Sequence, residues 1–397
     1  MKLTLINNLY PPYVLGGAER SVQFVSEALA KRGHQIIVVC IVPDQFTRIK
    51  RLNGVKVYYM GIKKFRILSA LFKGAFKKYP KIRGIMDIYN PWAAAQLSKI
   101  LDREKPDLVN TNNLAGFSIS AWHCIKQKGY KIVHTLRDYY LICPRSTMFK
   151  KGVNCDSQCL VCRLFVTPRP YLSNFVDAVI GNSRFILNRH LDFGFFSSVP
   201  IRDVIYNIYE PLSRTIKLNH PPQKPIRFGY IGRLKKKKGI YFLFDALFGL
   251  EKRDWELWIA GEKMEIRNLN LAYESSSRVK FMGFIDPASF FSKIDILVVP
   301  SLWHDPLPRT IFEAYAHGIP VIGSDKGGIP EIINHGETGF IYLAEDIKAL
   351  QKILIYFIAN PSTVMSMQNN CLNRSMDFSS DAIAHRYLNL YSSLVNR

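Results

Sequence analysis

Apolar positions along the chain recur with two alternating periods. Leu3–Asn7 is a short apolar run, as expected of a strand. Over Gly17–Arg32 apolar side chains return at Ala18, Val22, Val25, Ala28 and Leu29, a spacing that puts one helix face against a core. Gly33 suits the C-cap of that helix. Gln35–Val42 is a continuous Ile- and Val-rich run, the pattern of a strand buried on both faces. Further strands are predicted at Val55–Met60, Asp107–Asn110, Lys131–Leu136, Ala178–Gly181 and Val204–Tyr206, with helical stretches between them. The proline-rich segment Asn219–Pro225 reads as a linker. Beyond it the alternation resumes, with strands predicted at Ile226–Ile231, Trp255–Ala260, Val279–Met282, Ile296–Pro300 and Pro320–Gly323. This pattern predicts the α/β class: two doubly wound, Rossmann-like domains of mainly parallel strands, facing a cleft. In such sheets ligands bind beyond the carboxyl ends of the strands. A last helix, about Ser380–Asn396, carries Ile383, Tyr387, Leu390 and Leu394 on one face and needs a surface to pack on.

Composition narrows the picture. With 397 residues, 48% of them apolar, the chain can fill two cores. It has no run of about 18 apolar residues, so no spanning helix is expected. The opening MKLTLINNLYPP reads as a first strand and lacks the longer apolar segment of a signal peptide. Seven cysteines, an odd number, fit a reducing compartment and a cytosolic protein with mostly free thiols.

The net charge is +23, and residues 1–205 hold most of it, with 31 Lys and Arg against 12 Asp and Glu. The front half therefore faces an anionic partner: a membrane surface, a phosphorylated substrate or nucleic acid. Gly61–Gly84 concentrates eight Lys and Arg, no acid, and interleaved Phe, Leu and Ile. Such a stretch suits an anionic membrane. Its bland alternative is a solvated basic helix. No nucleic-acid motif accompanies it, so nucleic acid is not expected as a partner.

Four segments carry candidate chemistry. Gly16 and Gly17 follow the first strand and open a helix, where backbone N–H groups can meet an anion. Gly232–Gly239, GRLKKKKG, follows a strand end; Arg233 and Lys238 can both neutralise a diphosphate there, while Lys235, Lys236 and Lys237 read as a solvated basic face. In Pro300–Asp325 a strand ends, a loop carries Asp305, and a helix beginning near Pro308 carries Glu313. The free N–H groups near Leu307, Pro308 and Arg309 suit phosphate oxygens, and carboxylates suit sugar and ribose hydroxyls. Gly327 and Gly328 form another glycine turn at a helix start.

These words resemble glycosyltransferase family 4, retaining enzymes of the GT-B fold. The resemblance rests on GRLKKKKG, the Asp305-to-Glu313 spacing, FEAYAHGIPVIGSDKGGIPEII and HGETGF. In the front half it rests on PPYVLGGAERSVQFVSEALAKRGH and HTLRDYYLICPR. It implies that Arg233 and Lys238 bind the donor diphosphate, with Gly232 beside them. Glu313 would hold the ribose, Asp305 would touch the donor sugar, and Gly16 and Gly17 would let a loop close over the phosphates. It also implies a reaction that needs no metal, in which the leaving phosphate helps deprotonate the acceptor. The final helix would cross back onto the N-terminal domain. Two departures stand out. Asp305 replaces the usual Glu, and Arg137-Asp138 stands where relatives often have His-Asp, with His134 three residues earlier. Asp138 is therefore taken as a catalytic candidate, and His134 and Arg137 as acceptor-side candidates.

Cys143, Cys155, Cys159 and Cys162 share one loop and could hold a structural zinc; free thiols are the alternative. The expected organisation is an acceptor-binding domain over 1–207 with a Cys-containing insertion at about 139–169, a nucleotide-sugar-binding domain over 225–375, and a crossover helix over 376–397. The expected activity is retaining transfer from a nucleotide-sugar donor to a lipid-linked or growing glycan in cell-surface polysaccharide biosynthesis, with no cofactor. The enzyme would be cytoplasmic and peripheral on the inner face of the cytoplasmic membrane. The alternatives are a soluble GT-B transferase of a small metabolite and a non-catalytic protein binding an anionic ligand or nucleic acid.

Overall fold

The computed structural model describes residues 1–42, 44, 46–61, 87–209, 222, 224–250, 253–261, 273 and 276–396. The basic stretch Gly61–Gly84 falls outside the described residues apart from Gly61, as does most of the Asn219–Pro225 linker. The chain divides into two compact units. Met1–Met148, Cys155–Ile208 and Ser380–Arg397 form the first; Phe149–Asn154 and Tyr209–Ser379 form the second.

In chain order the elements are β1 (Lys2–Ile6), α1 (Gly17–Lys31), β2 (Gln35–Val42), β3 (Arg48–Leu52), β4 (Val55–Gly61), α2 (Pro91–Glu104), β5 (Leu108–Thr111), α3 (Ser120–Gln127) and β6 (Lys131–Leu136). A small hairpin, β7 (Phe149–Lys150) and β8 (Val153–Asn154), comes next, then α4 (Leu160–Val166), β9 (Ala178–Gly181), α5 (Arg184–Asp192) and β10 (Ile201–Val204). The second unit continues with β11 (Ile226–Ile231), α6 (Ile240–Phe248), β12 (Trp255–Ala260), β13 (Val279–Gly283), β14 (Ile296–Val299), α7 (Arg309–Ala316), β15 (Val321–Ser324) and β16 (Gly339–Tyr342). The chain closes with α8 (Ile347–Ala359), α9 (Ser362–Met376) and α10 (Ser380–Val395).

The first unit is built on a sheet of order β10-β9-β6-β5-β1-β2-β4-β3. Its pairings are parallel except β3 with β4. The second has order β13-β12-β11-β14-β15-β16, parallel throughout. Both are doubly wound α/β sheets of the expected class. In each, strand order reverses at one place, between β1 and β5 and between β11 and β14. Connections leave toward opposite faces there, opening a crevice at the carboxyl ends.

Several strand placements differ from the periodicity. β10 occupies Ile201–Val204, because its ladder with β9 runs Ile201↔Ala178 to Val204↔Gly181 and stops with that four-residue partner. β3, RIKRL, is largely exposed and carries no apolar alternation; a basic edge strand of this kind discourages pairing with another chain. β16 is too short and too Gly-rich in its approach to stand out before β15 pairs with it.

The last helix finds its surface in the first unit. Ile383, Ala384, Tyr387, Leu390, Tyr391 and Leu394 join the cluster formed by α1 and the sheet. Arg32 donates to the Ser380 carbonyl at 3.3 Å and pairs with Asp381. The Asn110 side chain donates to the Tyr391 hydroxyl.

Elsewhere in the first unit, Glu104 ends α2 as a buried carboxylate. Lys56 Nζ lies 2.6 Å from Oε1, Lys2 Nζ lies 3.1 Å from Oε2, and the Tyr58 hydroxyl also donates to it. Burial pushes this carboxyl up, but the bonds from Lys56, Tyr58 and Lys2 together outweigh it and hold it at about 2, against an ordinary 4.5. A depressed carboxyl stabilises the fold above its unfolded value and loses that contribution as pH falls through the folded value. Glu104→Gln should therefore cost about 1–3 kcal/mol at neutral pH. The deficit should shrink between pH 4.5 and about 2. Urea unfolding of both proteins across that range checks it.

Candidate functional site

The second unit brings its candidate residues to the place where strand order reverses. β11 ends at Ile231 and Gly232 turns the chain. The Tyr230 hydroxyl donates to the Arg233 carbonyl at 2.9 Å and holds that turn. Lys236–Lys238 then form one tight helical turn, and Gly239, at φ +76°, starts α6. A Cβ at Gly239 would stand 1.6 Å from the Pro300 carbonyl oxygen, so the loop after β11 lies directly against the end of β14. The Lys237 carbonyl accepts from the Leu302 and Trp303 amides at 3.0 and 3.2 Å, which fastens the two loops together.

On this base Lys238 forms an ion pair with Asp305. Lys237 Nζ sits 3.7 Å from the centroid of the Trp303 ring, a cation–π contact. Burial first, and Lys238 second, lower the Lys237 ammonium to about 8 despite the nearby Asp305. Lys237 is thus a packed member of the site, not part of a solvated face. Arg233 is exposed, and its guanidinium makes no hydrogen bond or ion pair among the described residues.

The backbone of Asp305 is fixed from a third segment. Gly328 N–H donates to its carbonyl at 2.9 Å. Gly327, at φ +64°, lies so close that a Cβ would stand 2.0 Å from the Asp305 oxygen. Helix α7 begins at Arg309, one residue past Pro308, with Leu307 buried before it. Arg309 Nε lies 3.7 Å from the Glu313 carboxylate, one turn on. Burial raises the Glu313 carboxyl, with Arg309 and then His317 opposing. Arg309 therefore belongs with Glu313 as a charge partner.

The first unit has its own crevice residues. Gly16 N–H donates to Glu19 Oε2 at 2.8 Å, closing the start of α1, and Glu19 is buried. Beyond β6, Asp138 accepts from Asn113 Nδ2 at 2.7 Å and from Tyr140 N–H at 2.8 Å. Burial, helped by the Glu19 charge and opposed by the Tyr140 bond, raises Asp138 to about 6. Glu19 and Asn113 were not singled out by sequence. Glu19 had a signal, standing three residues after the helix cap; Asn113 had none.

His134 and Arg137 do not reach a surface, which corrects their acceptor-side expectation. His134 lies inside the sheet, 2.8 Å from Thr111 Oγ1, stacked on Phe196 and edge-on to Trp122. Burial holds its imidazole far below the usual range, so it is neutral. Arg137 bonds Asn112 at 2.8 Å, Asn207 at 2.9 Å and the Tyr387 hydroxyl at 3.4 Å, tying β6 to α10.

The cysteines form a partial cluster. Cys143 is a buried free thiol hydrogen-bonded to Cys162, which holds it below the usual range, and Cys159 Sγ lies 3.6 Å from Cys162 Sγ. Among the described residues no group of three or more His, Cys, Asp or Glu side chains is arranged to hold a metal ion.

Two family models match in succession. Glycosyltransferase Family 4 covers residues 15–209, and Glycosyl transferases group 1 covers 214–374. An uncharacterised 42.6 kDa protein in the cps region of Klebsiella pneumoniae is 32% identical over 89% of this chain and 92% of its own length. The chain belongs to glycosyltransferase family 4. The lipopolysaccharide core biosynthesis mannosyltransferase LpsB of Rhizobium meliloti is 28% identical over 42% of this chain and 51% of its own. Among solved structures, sucrose-phosphate synthase from Thermosynechococcus elongatus superposes with a TM-score of 0.75 at 20% identity, over 99% of this chain and 98% of that one. Anabaena HepE in complex with UDP gives 0.68 at 19%, over 99% and 100%. These likenesses are of fold, and they make this family 4 glycosyltransferase a GT-B protein.

The close loop contact gives a test. Gly239→Ala places a methyl group into the Pro300 carbonyl. It should lower stability by more than about 2 kcal/mol. Gly336→Ala, also at positive φ but with nothing within 4 Å, should cost about 1 kcal/mol. Chemical denaturation of the two variants makes the comparison.

Proposed function

We propose that this glycosyltransferase moves a sugar from a nucleotide-diphosphate donor to a hydroxyl of a growing or lipid-linked glycan, with retention of configuration and without a metal. The observation that carries the reading is the cationic cluster where β11 and β14 part: an exposed Arg233 beside Lys238 and a half-desolvated Lys237. Cations held where charge develops on a leaving diphosphate are the main lever on such a reaction. In the step itself the sugar C1–O bond breaks and its electron pair leaves with the diphosphate. The acceptor oxygen bonds to C1, and its proton passes to the departing phosphate oxygen.

Gly232 and the backbone around Leu307 and Pro308 would approach the phosphates, Glu313 the ribose hydroxyls, and Asp305 the sugar. Glu313 keeps Arg309 as its charge partner in this assignment. Asp138, half-buried and raised to about 6, is the first unit's candidate for contacting an acceptor hydroxyl. Gly16 and Gly17 would meet phosphate oxygens through their backbone N–H groups, at the start of α1. The polysaccharide setting is supported by relatives such as LpsB, named for lipopolysaccharide core biosynthesis.

A thermal-shift screen against UDP-, GDP- and ADP-sugars tests the donor class, since a bound donor stabilises the fold by mass action. With the donor so found, Arg233→Ala and Lys238→Ala should each lower kcat by about 10²–10³-fold. EDTA should leave the wild-type rate unchanged. Unaltered rates in both variants would end the assignment.

We further propose peripheral attachment to an anionic membrane, supported by the excess of 31 basic over 12 acidic residues in positions 1–205. No described helix is long and apolar enough to cross a membrane. Sedimentation with vesicles containing phosphatidylglycerol should capture the protein, and capture should fall as salt rises through about 0.2 M. Equal capture by neutral vesicles would count against an anionic surface, and capture by neither would favour the reading of a soluble transferase acting on a small metabolite.

A further inference from the structure

The hairpin β7–β8 lies in the front half of the sequence, yet its contacts group it with the second unit. Its two-residue turn has Lys151 at φ +52° and Gly152 at φ +91°. Both central residues at positive φ match the twist of the flanking strands and make a stiff connection. The turn delivers Asn154 at the end of β8 to the loop after β14. Asn154 Nδ2 donates to the Leu302 carbonyl at 2.9 Å, and its Oδ1 accepts from His304 N–H at 2.9 Å. One carboxamide thus reads the acceptor and donor of two residues in the same loop. Asp305 follows directly and carries the ion pair to Lys238.

We propose that Asn154 is a positioning residue for the donor-sugar loop, setting Asp305 and Lys238 through the backbone of Leu302–His304. The inference rests on the proposed role of that pair. Without Asn154, the Lys237 carbonyl, the Gly328 amide and the Ser324 hydroxyl, which donates to the Ser301 carbonyl at 2.7 Å, still hold the neighbouring positions. Removal therefore loosens the segment just before Asp305 and leaves the phosphate-side cations in place. The effect belongs in kcat, while donor affinity, dominated by diphosphate and ribose, changes little.

The experiment uses the full chain and the donor that turns over from a panel of UDP-glucose, UDP-galactose, GDP-mannose and ADP-glucose, reading donor hydrolysis without acceptor. Asn154→Ala should lower kcat at least 10-fold with KM within about 3-fold, and amide hydrogen exchange should quicken over residues 302–305. Asn154→Asp keeps an acceptor for His304 N–H but cannot donate to Leu302; it should fall between wild type and Asn154→Ala, and it serves if the alanine variant folds poorly. Val153→Thr, at a position 63% exposed in the same hairpin, should match wild type. Unchanged exchange over 302–305, or quickened exchange with unchanged kcat, overturns the inference. If Lys238→Ala is also without effect, the donor-site reading itself has failed. If only the Asn154 variants are silent, that reading stands alone.

Discussion

The donor-side candidates depend on one backbone contact, where Gly239 lets the loop after β11 lie against the Pro300 carbonyl at the end of β14. Everything charged there is arranged by it. The Lys237 carbonyl can accept from Leu302 and Trp303 only because no side chain holds the loops apart. The same closeness puts Lys237 over the Trp303 ring and Lys238 against Asp305. The strand order supplies the location, since β11 and β14 are the neighbours whose connections diverge.

Charge is distributed by burial in these units. Glu104, with two lysines and a tyrosine around it, is depressed and belongs to the fold. Asp138 and Glu313 are raised by burial that their partners do not offset. Perturbed groups beside crevices are candidates for chemistry, whereas satisfied ion clusters away from them are candidates for stability. Lys237 shows the same distinction inside a single lysine run: its ammonium is lowered to about 8 by packing, while no comparable packing marks Lys236, its exposed neighbour.

Last helix and first unit illustrate how a distant segment completes a core. Tyr387 and Tyr391 meet Arg137 and Asn110 from the carboxyl end of the chain. Arg137 is consumed there, and with it the acceptor-side expectation that its place in the sequence suggested. His134 is likewise a core residue, set between Thr111, Trp122 and Phe196.

The alternation of apolar runs by itself determined the α/β class and nearly all of the parallel strands, because strands buried on both faces must be continuously apolar and their helices one-sided. It also marked Arg233, Lys238, Asp305 and Glu313, because glycine turns after strand ends are local signals. Short or charged elements such as β3, β7, β8 and β16 carry too little periodicity to be read. Strand order, and therefore which loops meet, was decided only in three dimensions. So was the pairing of Lys238 with Asp305, 67 residues apart, and of Arg309 with Glu313 as a charge partner. Asn154 reaches Leu302 across 148 residues and His304 across 150, through one hydrogen bond to a backbone atom of each. Backbone acceptors and donors are the same at every residue, so no residue type at Leu302 or His304 could have announced the contact.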